Sequence, residues 1–338
     1  MSVVERFDPP RWLRAAHLQT SLSSLPPRRW LSQRRAQPLR RAAQPWVIEL
    51  GALGRLRALL STSPDGGPRG VAVLLHGWEG NADSTYVLSL GAELYAAGFD
   101  VVRLNLRDHG GTHGLNRELF HSCRLPEVAA AVRAIAARFA PRPVQLAGFS
   151  LGGNFFLRVA AEPDPPGNLR RVVAVSPVLH PENALRALEQ GPRLYHHYFV
   201  RRWSRSLRAK QRSWPQDFEF GQLLKLRDLR AMTAALVREH TDFTTLHEYL
   251  DGYAITGGRL RTLQVPAHLL CAADDPIIPA GDLARLATHP LLEVTSLPNG
   301  GHCGFVERLG GPSFADRYVL ARFASLEGSA SSSASNRA

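Results

Sequence analysis

Short, mostly apolar runs that alternate with helix-length stretches constrain this chain more than any other feature of it. Val71-Ala72-Val73-Leu74-Leu75 is the clearest, a continuous apolar run of the kind found in strands buried on both faces. A helical stretch follows from Ser84 to Ala97 and stops at Gly98. Phe99–Leu104 then reads as a strand, Pro126–Phe139 as a helix with proline in its first turn, Val144–Gly148 as a strand, Leu151–Ala161 as a helix and Leu169–Val175 as a strand. Strands and helices in strict alternation predict an α/β domain, with a mostly parallel central sheet covered by helices on both faces. With 338 residues, and roughly 100–200 residues per domain, one large domain or two small ones fit.

The alternation breaks near His180. Residues 181–260 are rich in Arg, aromatics and helix formers, among them Tyr195, Tyr198, Phe199, Trp203, Trp214, Phe218 and Phe220, and read as a helical lid insertion. Alternation resumes with the strand Ala267–Ala272, a helix near Asp282–Ala287, the strand Leu292–Ser296 and a last helix from about Pro312 to Ser325. Residues 46–62 read as a strand pair turning around Gly51 and Gly54. The expected organisation is an N-terminal arm over 1–45 packing on the core, a domain over 46–326 carrying the insertion, and a disordered low-complexity tail over 327–338.

Four segments at strand ends carry chemistry. Gly148-Phe149-Ser150-Leu151-Gly152 is a G-x-S-x-G sequence placed between a buried-type strand and a helix, where a nucleophile elbow belongs. Its glycines allow a sharp turn that leaves the serine hydroxyl exposed. His76-Gly77-Trp78-Glu79-Gly80 follows the first buried strand and suits an oxyanion loop, with the Trp78 and Leu151 amides as the two donors and His76 as a brace. The Trp78 side chain either lines the pocket or simply packs. Ala272-Ala273-Asp274-Asp275-Pro276-Ile277-Ile278-Pro279 follows a late strand and offers a carboxylate to orient a histidine; the D-x-x-I-P register favours Asp275, with Asp274 left to hold the loop. In Gly300-Gly301-His302, two glycines permit a loop that projects the ring, making His302 the general base and then the general acid.

The formal net charge is +12, and Lys occurs only at Lys210 and Lys225 among 41 basic residues. Nucleic-acid binding needs that charge clustered on one face with aromatics for bases, and is not expected. Weak contact with anionic membrane surfaces or acidic substrates suits the charge better. Arg201, Arg202, Arg205 and Arg208 in the insertion either meet lipid headgroups or form a solvated face. Cys123, Cys271 and Cys303 are far apart and odd in number, which predicts reduced thiols in a cytoplasmic protein. Met1–Pro10 lacks an apolar segment and does not read as a secretory signal, and no apolar run of about 18 residues predicts a membrane span. His109 and His113, in the glycine-rich Arg107–Gly114, are expected to brace a loop; His196-His197-Tyr198 is expected on the lid surface. With no H-E-x-x-H, Walker A or dinucleotide fingerprint, neither metal nor cofactor is expected.

Taken together the motifs resemble the α/β-hydrolase superfamily and its YheT-like lipase/esterase branch. The order Ser150, Asp275, His302 is the superfamily's order. Ala16-His17-Leu18-Gln19-Thr20 is similar to the branch's N-terminal H-L-Q-T signature, Leu104–His113 to its R-L-N-L-R-D-H-G-x-T-H segment, and Asn299–Phe305 to its G-G-H-x-G-F block. The likeness runs from about residue 8 to 325. Where the branch often carries Leu or Phe after His-Gly, this chain has Trp78, which alters the acyl pocket and leaves the amide intact. The resemblance implies an α/β-hydrolase fold and a carboxylic-ester hydrolase acting on a small-molecule ester, short-chain or of monoacylglycerol type, without a cofactor. The alternatives are an acyltransferase using the same three residues, which would need a second acceptor site, and a non-catalytic hydrolase fold that binds lipid or protein, which would not need Ser150 and His302 together.

Overall fold

A computed structural model of the chain describes residues 6–325, so the tail expected over 327–338 lies outside the described residues. Three helices come first, α1 (Ala16–Leu22), α2 (Arg28–Arg35) and α3 (Gln37–Arg41), followed by a hairpin of β1 (Ala43–Glu49) and β2 (Arg55–Ser61). Then come β3 (Val71–Leu75), α4 (Thr85–Ala96), β4 (Asp100–Leu104), α5 (Leu125–Phe139), β5 (Val144–Phe149), α6 (Leu151–Ala160) and β6 (Leu169–Val175). Four helices, α7 (Pro181–Gln190), α8 (Arg193–Ser213), α9 (Leu229–His240) and α10 (Leu246–Gly252), separate β6 from β7 (Ala267–Ala272). Finally β8 (Leu292–Leu297) leads to α11 (Phe314–Ala324).

All eight strands form one sheet in the order β1-β2-β4-β3-β5-β6-β7-β8. From β4 to β8 every pairing is parallel, while β2 runs antiparallel to both β1 and β4. Burial explains the apolar runs. β3, β4, β5 and β7 are buried along their whole length. Alternate side chains serve opposite faces, as the strand period requires. Val73, Leu75 and Leu146 enter the core shared with α5, α6 and the helices after β6, whereas Ala72, Leu74 and Ala147 enter the core under α4 and α11. The edge strands β1 and β8 keep mixed, partly exposed patterns.

The stretch expected as a helix near Asp282–Ala287 is instead a short 3-10 turn, Ala280–Arg285. Pro279 and Pro290 bracket it, and the residue before a proline is pushed toward extended backbone, leaving too little chain for stable α turns. Asp282 also turns inward, its Oδ1 accepting from Asn183 Nδ2 at 2.7 Å. Ahead of the sheet, α2 and α3 pack on α4, and Leu39 is fully buried. Among the described residues no helix is long and apolar enough to cross a membrane.

Candidate active site

The site gathers at the ends of β3, β5, β7 and β8. β5 finishes at Phe149 and α6 begins at Leu151, so one residue, Ser150, makes the turn. Its backbone has φ 51 and ψ −118, a region L-residues rarely enter. Such strain persists only when the surroundings over-determine it. Here Ser150 N–H donates to Val175 O at 2.9 Å, and Ser150 O accepts from Asn154 N–H at 3.0 Å. The helix behind it crosses close to β3: a Cβ at Gly152 would lie 2.5 Å from both Leu75 O and His76 O. That is the physical demand for glycine at this position.

His302 reaches Ser150 from the loop after β8, with Nε2 3.0 Å from Ser150 Oγ. Its other nitrogen, Nδ1, lies 2.9 Å from Asp275 Oδ2. Asp275 is fixed in turn, since its Oδ1 accepts the N–H groups of Ile277 and Ile278, each at 2.9 Å. Of the two candidate acids the structure sets Asp275 against the ring. Asp274 Oδ1 instead accepts Gly301 N–H at 2.9 Å and holds the loop. Gly301 has φ 55, which a glycine adopts freely. Burial by itself disfavours the imidazolium of His302, but the Asp275 carboxylate outweighs it and holds the pKa well above the usual histidine value.

The loop after β3 is pinned from several sides. Gly77 O accepts from Gly80 N–H at 2.9 Å and from His76 Nδ1 at 2.7 Å. In a trans peptide the N–H of Trp78 points away from that carbonyl, and so away from both donors. Among the described residues no acceptor takes the Trp78 N–H or the Leu151 N–H, although Gly77 and Glu79 on either side have partners, Tyr86 Oη and His109 Nε2. Trp78 and Leu151 both line the cavity that contains Ser150 and His302. The Trp78 ring does two things: it lines that cavity and stacks on Phe199 of α8, with centroids 5.2 Å apart.

His76 and His109 are loop braces. Each offers Nδ1–H to a carbonyl and accepts a backbone N–H at Nε2, His76 from Leu106 at 3.2 Å and His109 from Glu79 at 3.1 Å. That bonding needs neutral rings, and burial pushes His76 down to about 4 and His109 well below its usual value. His113 meets Ser206 of α8 at 2.9 Å. The arginines of α8 divide: Arg201, Arg205 and Arg208 are exposed, while Arg202 turns inward and donates to Glu79 O, so it belongs to neither a solvated face nor a headgroup-facing one. His196 is not wholly at the surface either, since its Nε2 accepts Leu229 N–H at 3.1 Å.

The cavity measures about 640 Å³. One part of its wall is apolar and comes from the helices after β6, with Leu185, Leu188, Leu236 and Leu250. Another comes from α1, α2 and the turn between them, with Thr20, Arg29 and Leu25. Sequence reasoning did not find two buried features near the site. Lys210 of α8 donates to Asp108 Oδ1 at 2.9 Å and to Asn116 O and Glu118 O at 2.7 and 2.9 Å. Gln19 and Thr20 of α1 bond the backbone of the His302 loop. Only the H-L-Q-T likeness marked the second pair, and it carried no hint of a contact across the chain.

A mostly parallel sheet with a bent serine on the turn out of a central strand, and a histidine and an aspartate on later strand ends, defines the α/β-hydrolase class of folds. The sequence model of the alpha/beta hydrolase fold family matches residues 71–309, and the chain belongs to that family. It is 25% identical over 245 residues to the Escherichia coli protein named "Putative esterase YheT", covering 69% of this chain and 70% of that protein. It is also 25% identical over 249 residues to an embryogenesis-associated protein of Picea glauca, covering 70% of this chain but 53% of that protein, so the chain spans about half the length of that relative. Among solved structures, an esterase of Pyrococcus furiosus matches with a TM-score of 0.52 at 13% identity, covering 83% of this chain and 88% of that one. A Butyrivibrio proteoclasticus protein solved with ferulic acid matches with a TM-score of 0.52 at 14% identity, covering 83% and 99%. At such identities these structures establish the shared fold.

Proposed function

We propose that the protein is a serine hydrolase that cleaves carboxylic esters through an acyl-enzyme. The observation that carries this is the unbroken line of hydrogen bonds from Ser150 Oγ through both nitrogens of His302 to Asp275. His302 takes the Ser150 proton as the oxygen attacks the ester carbonyl. The Trp78 and Leu151 amides receive the carbonyl oxygen as it becomes negative. His302 then protonates the leaving alcohol, and in the second half it activates water to release the acid. Asp275 keeps the proton of the resting ring on Nδ1, leaving Nε2 as the base.

The apolar wall supports an acyl chain longer than acetyl in the cavity, and so the monoacylglycerol type of ester over the short-chain type. Among the lining residues Leu25, Leu194, Tyr198 and Arg29 are also exposed to solvent, which supports uptake of esters from an anionic lipid surface. The test is hydrolysis of p-nitrophenyl esters of increasing acyl length and of monoacylglycerols, free and in anionic vesicles, with and without an added alcohol. The expected results are free acid as the product, rates that rise beyond acetate, and loss by about 10⁴-fold or more in Ser150→Ala with the fold intact. An unchanged rate in that variant rejects the nucleophile; ester formation with the alcohol in place of acid release favours acyl transfer.

A further inference from the structure

We propose that α1 is a positioning element of the active site, with Thr20 and Gln19 as the residues that hold the His302 loop in register with Ser150. The inference rests on the reading of Ser150 and His302 as the reacting pair. The loop from Gly300 to Val306 belongs to no helix or strand, so its place is set by where its backbone groups bond. Gly301 N–H goes to Asp274 and Cys303 N–H to Ser176 Oγ at 3.2 Å. Phe305 O accepts Phe314 N–H at 2.8 Å, and two further anchors come from α1, far away in the chain. His302 N–H donates to Thr20 Oγ1 at 2.9 Å. Val306 N–H donates to Gln19 Oε1 at 2.7 Å, and Gln19 Nε2 donates back to Val306 O at 2.8 Å.

Both side chains are themselves fixed. The Thr20 hydroxyl gives its one hydrogen to Ala16 O at 2.8 Å, which leaves its lone pairs for His302. Gln19 is fully buried, and its second amide hydrogen goes to Leu13 O at 2.7 Å. The loop in turn has no side chains where the helix backbone lies. A Cβ at Gly301 would be 2.5 Å from Ala16 O, and one at Gly304 would be 2.6 Å from Gln19 O. Gly301, which also permits the turn before His302, and Gly304 therefore seat the loop on α1. Thr20 lines the cavity, but its bond to His302 is to the main-chain N–H, so toward the base it is a positioning residue. A displacement of the ring by about 1 Å is enough to cost about 100-fold in rate.

Thr20→Val keeps the side-chain shape and deletes the acceptor; Thr20→Ser keeps the acceptor. With p-nitrophenyl butyrate, Thr20→Val is expected to lower kcat about 10- to 100-fold with KM within about twofold, and Thr20→Ser to stay near wild type. A second readout needs no turnover: the low-field proton NMR signal of His302 Nδ1–H bonded to Asp275, expected in wild type and Thr20→Ser, and shifted upfield or broadened in Thr20→Val. Gln19→Leu should move both readouts in the same direction if it folds. Wild-type kcat and an unmoved signal in Thr20→Val overturn the proposal, as does Thr20→Ser behaving like Thr20→Val. A wild-type enzyme that shows the signal but neither cleaves esters nor takes a fluorophosphonate on Ser150 overturns the catalytic reading instead, and the signal in Thr20→Val still decides the role of α1.

Discussion

His302 sits between two opposing influences, and the balance sets how rate and stability respond to pH. Burial favours the neutral ring; the Asp275 carboxylate 2.9 Å away favours the charged one and prevails. A general base works only when neutral, so with His302 in the proposed role kcat/KM should fall on acidification, with a midpoint above the ordinary value of 6.5. Asp275→Asn should move that midpoint down and lower kcat by about 10⁴-fold, read from pH–rate profiles of the two enzymes. Stability responds with the opposite sign. A folded pKa above the unfolded one means the charged pair contributes fully below about 6.5 and is lost as pH rises through the folded value. At this scale the sequence was informative where a local rule existed. The glycines around Ser150 and before His302, and the register that favoured Asp275 over Asp274, all follow from neighbours in the chain. Thr20 and Gln19 obey no local rule, because their partners lie more than 280 residues away.

Among the elements, α8 carries the most information that periodicity alone did not convey. Arg201, Arg205 and Arg208 share its outer face, but its inner face holds a cation, Lys210, against Asp108, both side chains nearly wholly buried. Burial disfavours charge on each partner: it pushes Lys210 down and Asp108 up, with each opposing the shift in the other. Such a pair contributes little net stability but is costly to break from one side. Lys210→Met should therefore destabilise the fold by about 3–5 kcal/mol, and Lys210→Met combined with Asp108→Asn by less, as measured by denaturant unfolding. A lysine within an arginine-rich helix reads as one more exposed charge in the sequence, because nothing local marks the carbonyls of Asn116 and Glu118 that complete its shell. The alternating strands and helices of the sheet were easier to read, because burial on both faces writes itself into composition.

At the scale of the whole molecule, several wholly or partly buried histidines in the first half of the chain are held neutral. Burial pushes His76, His113 and His121 each down to about 4. A depressed folded pKa means stability is present above about 6.5 and lost as pH falls toward 4. The melting temperature should accordingly drop over that interval, with a slope showing uptake of more than one proton on unfolding; a flat Tm from pH 6.5 to 4 would contradict the buried-ring assignments. The first helices also tie the molecule together, since His17 on α1 meets Tyr195 on α8 at 3.0 Å while Thr20 reaches the His302 loop. The bent serine forms within the middle of the chain, but the imidazole it bonds comes some 150 residues later, on a loop that docks on a helix made near the beginning. During synthesis Ser150 is therefore made about 150 residues before the ring it bonds, and the pair can assemble only once the His302 loop has been made and has settled on α1.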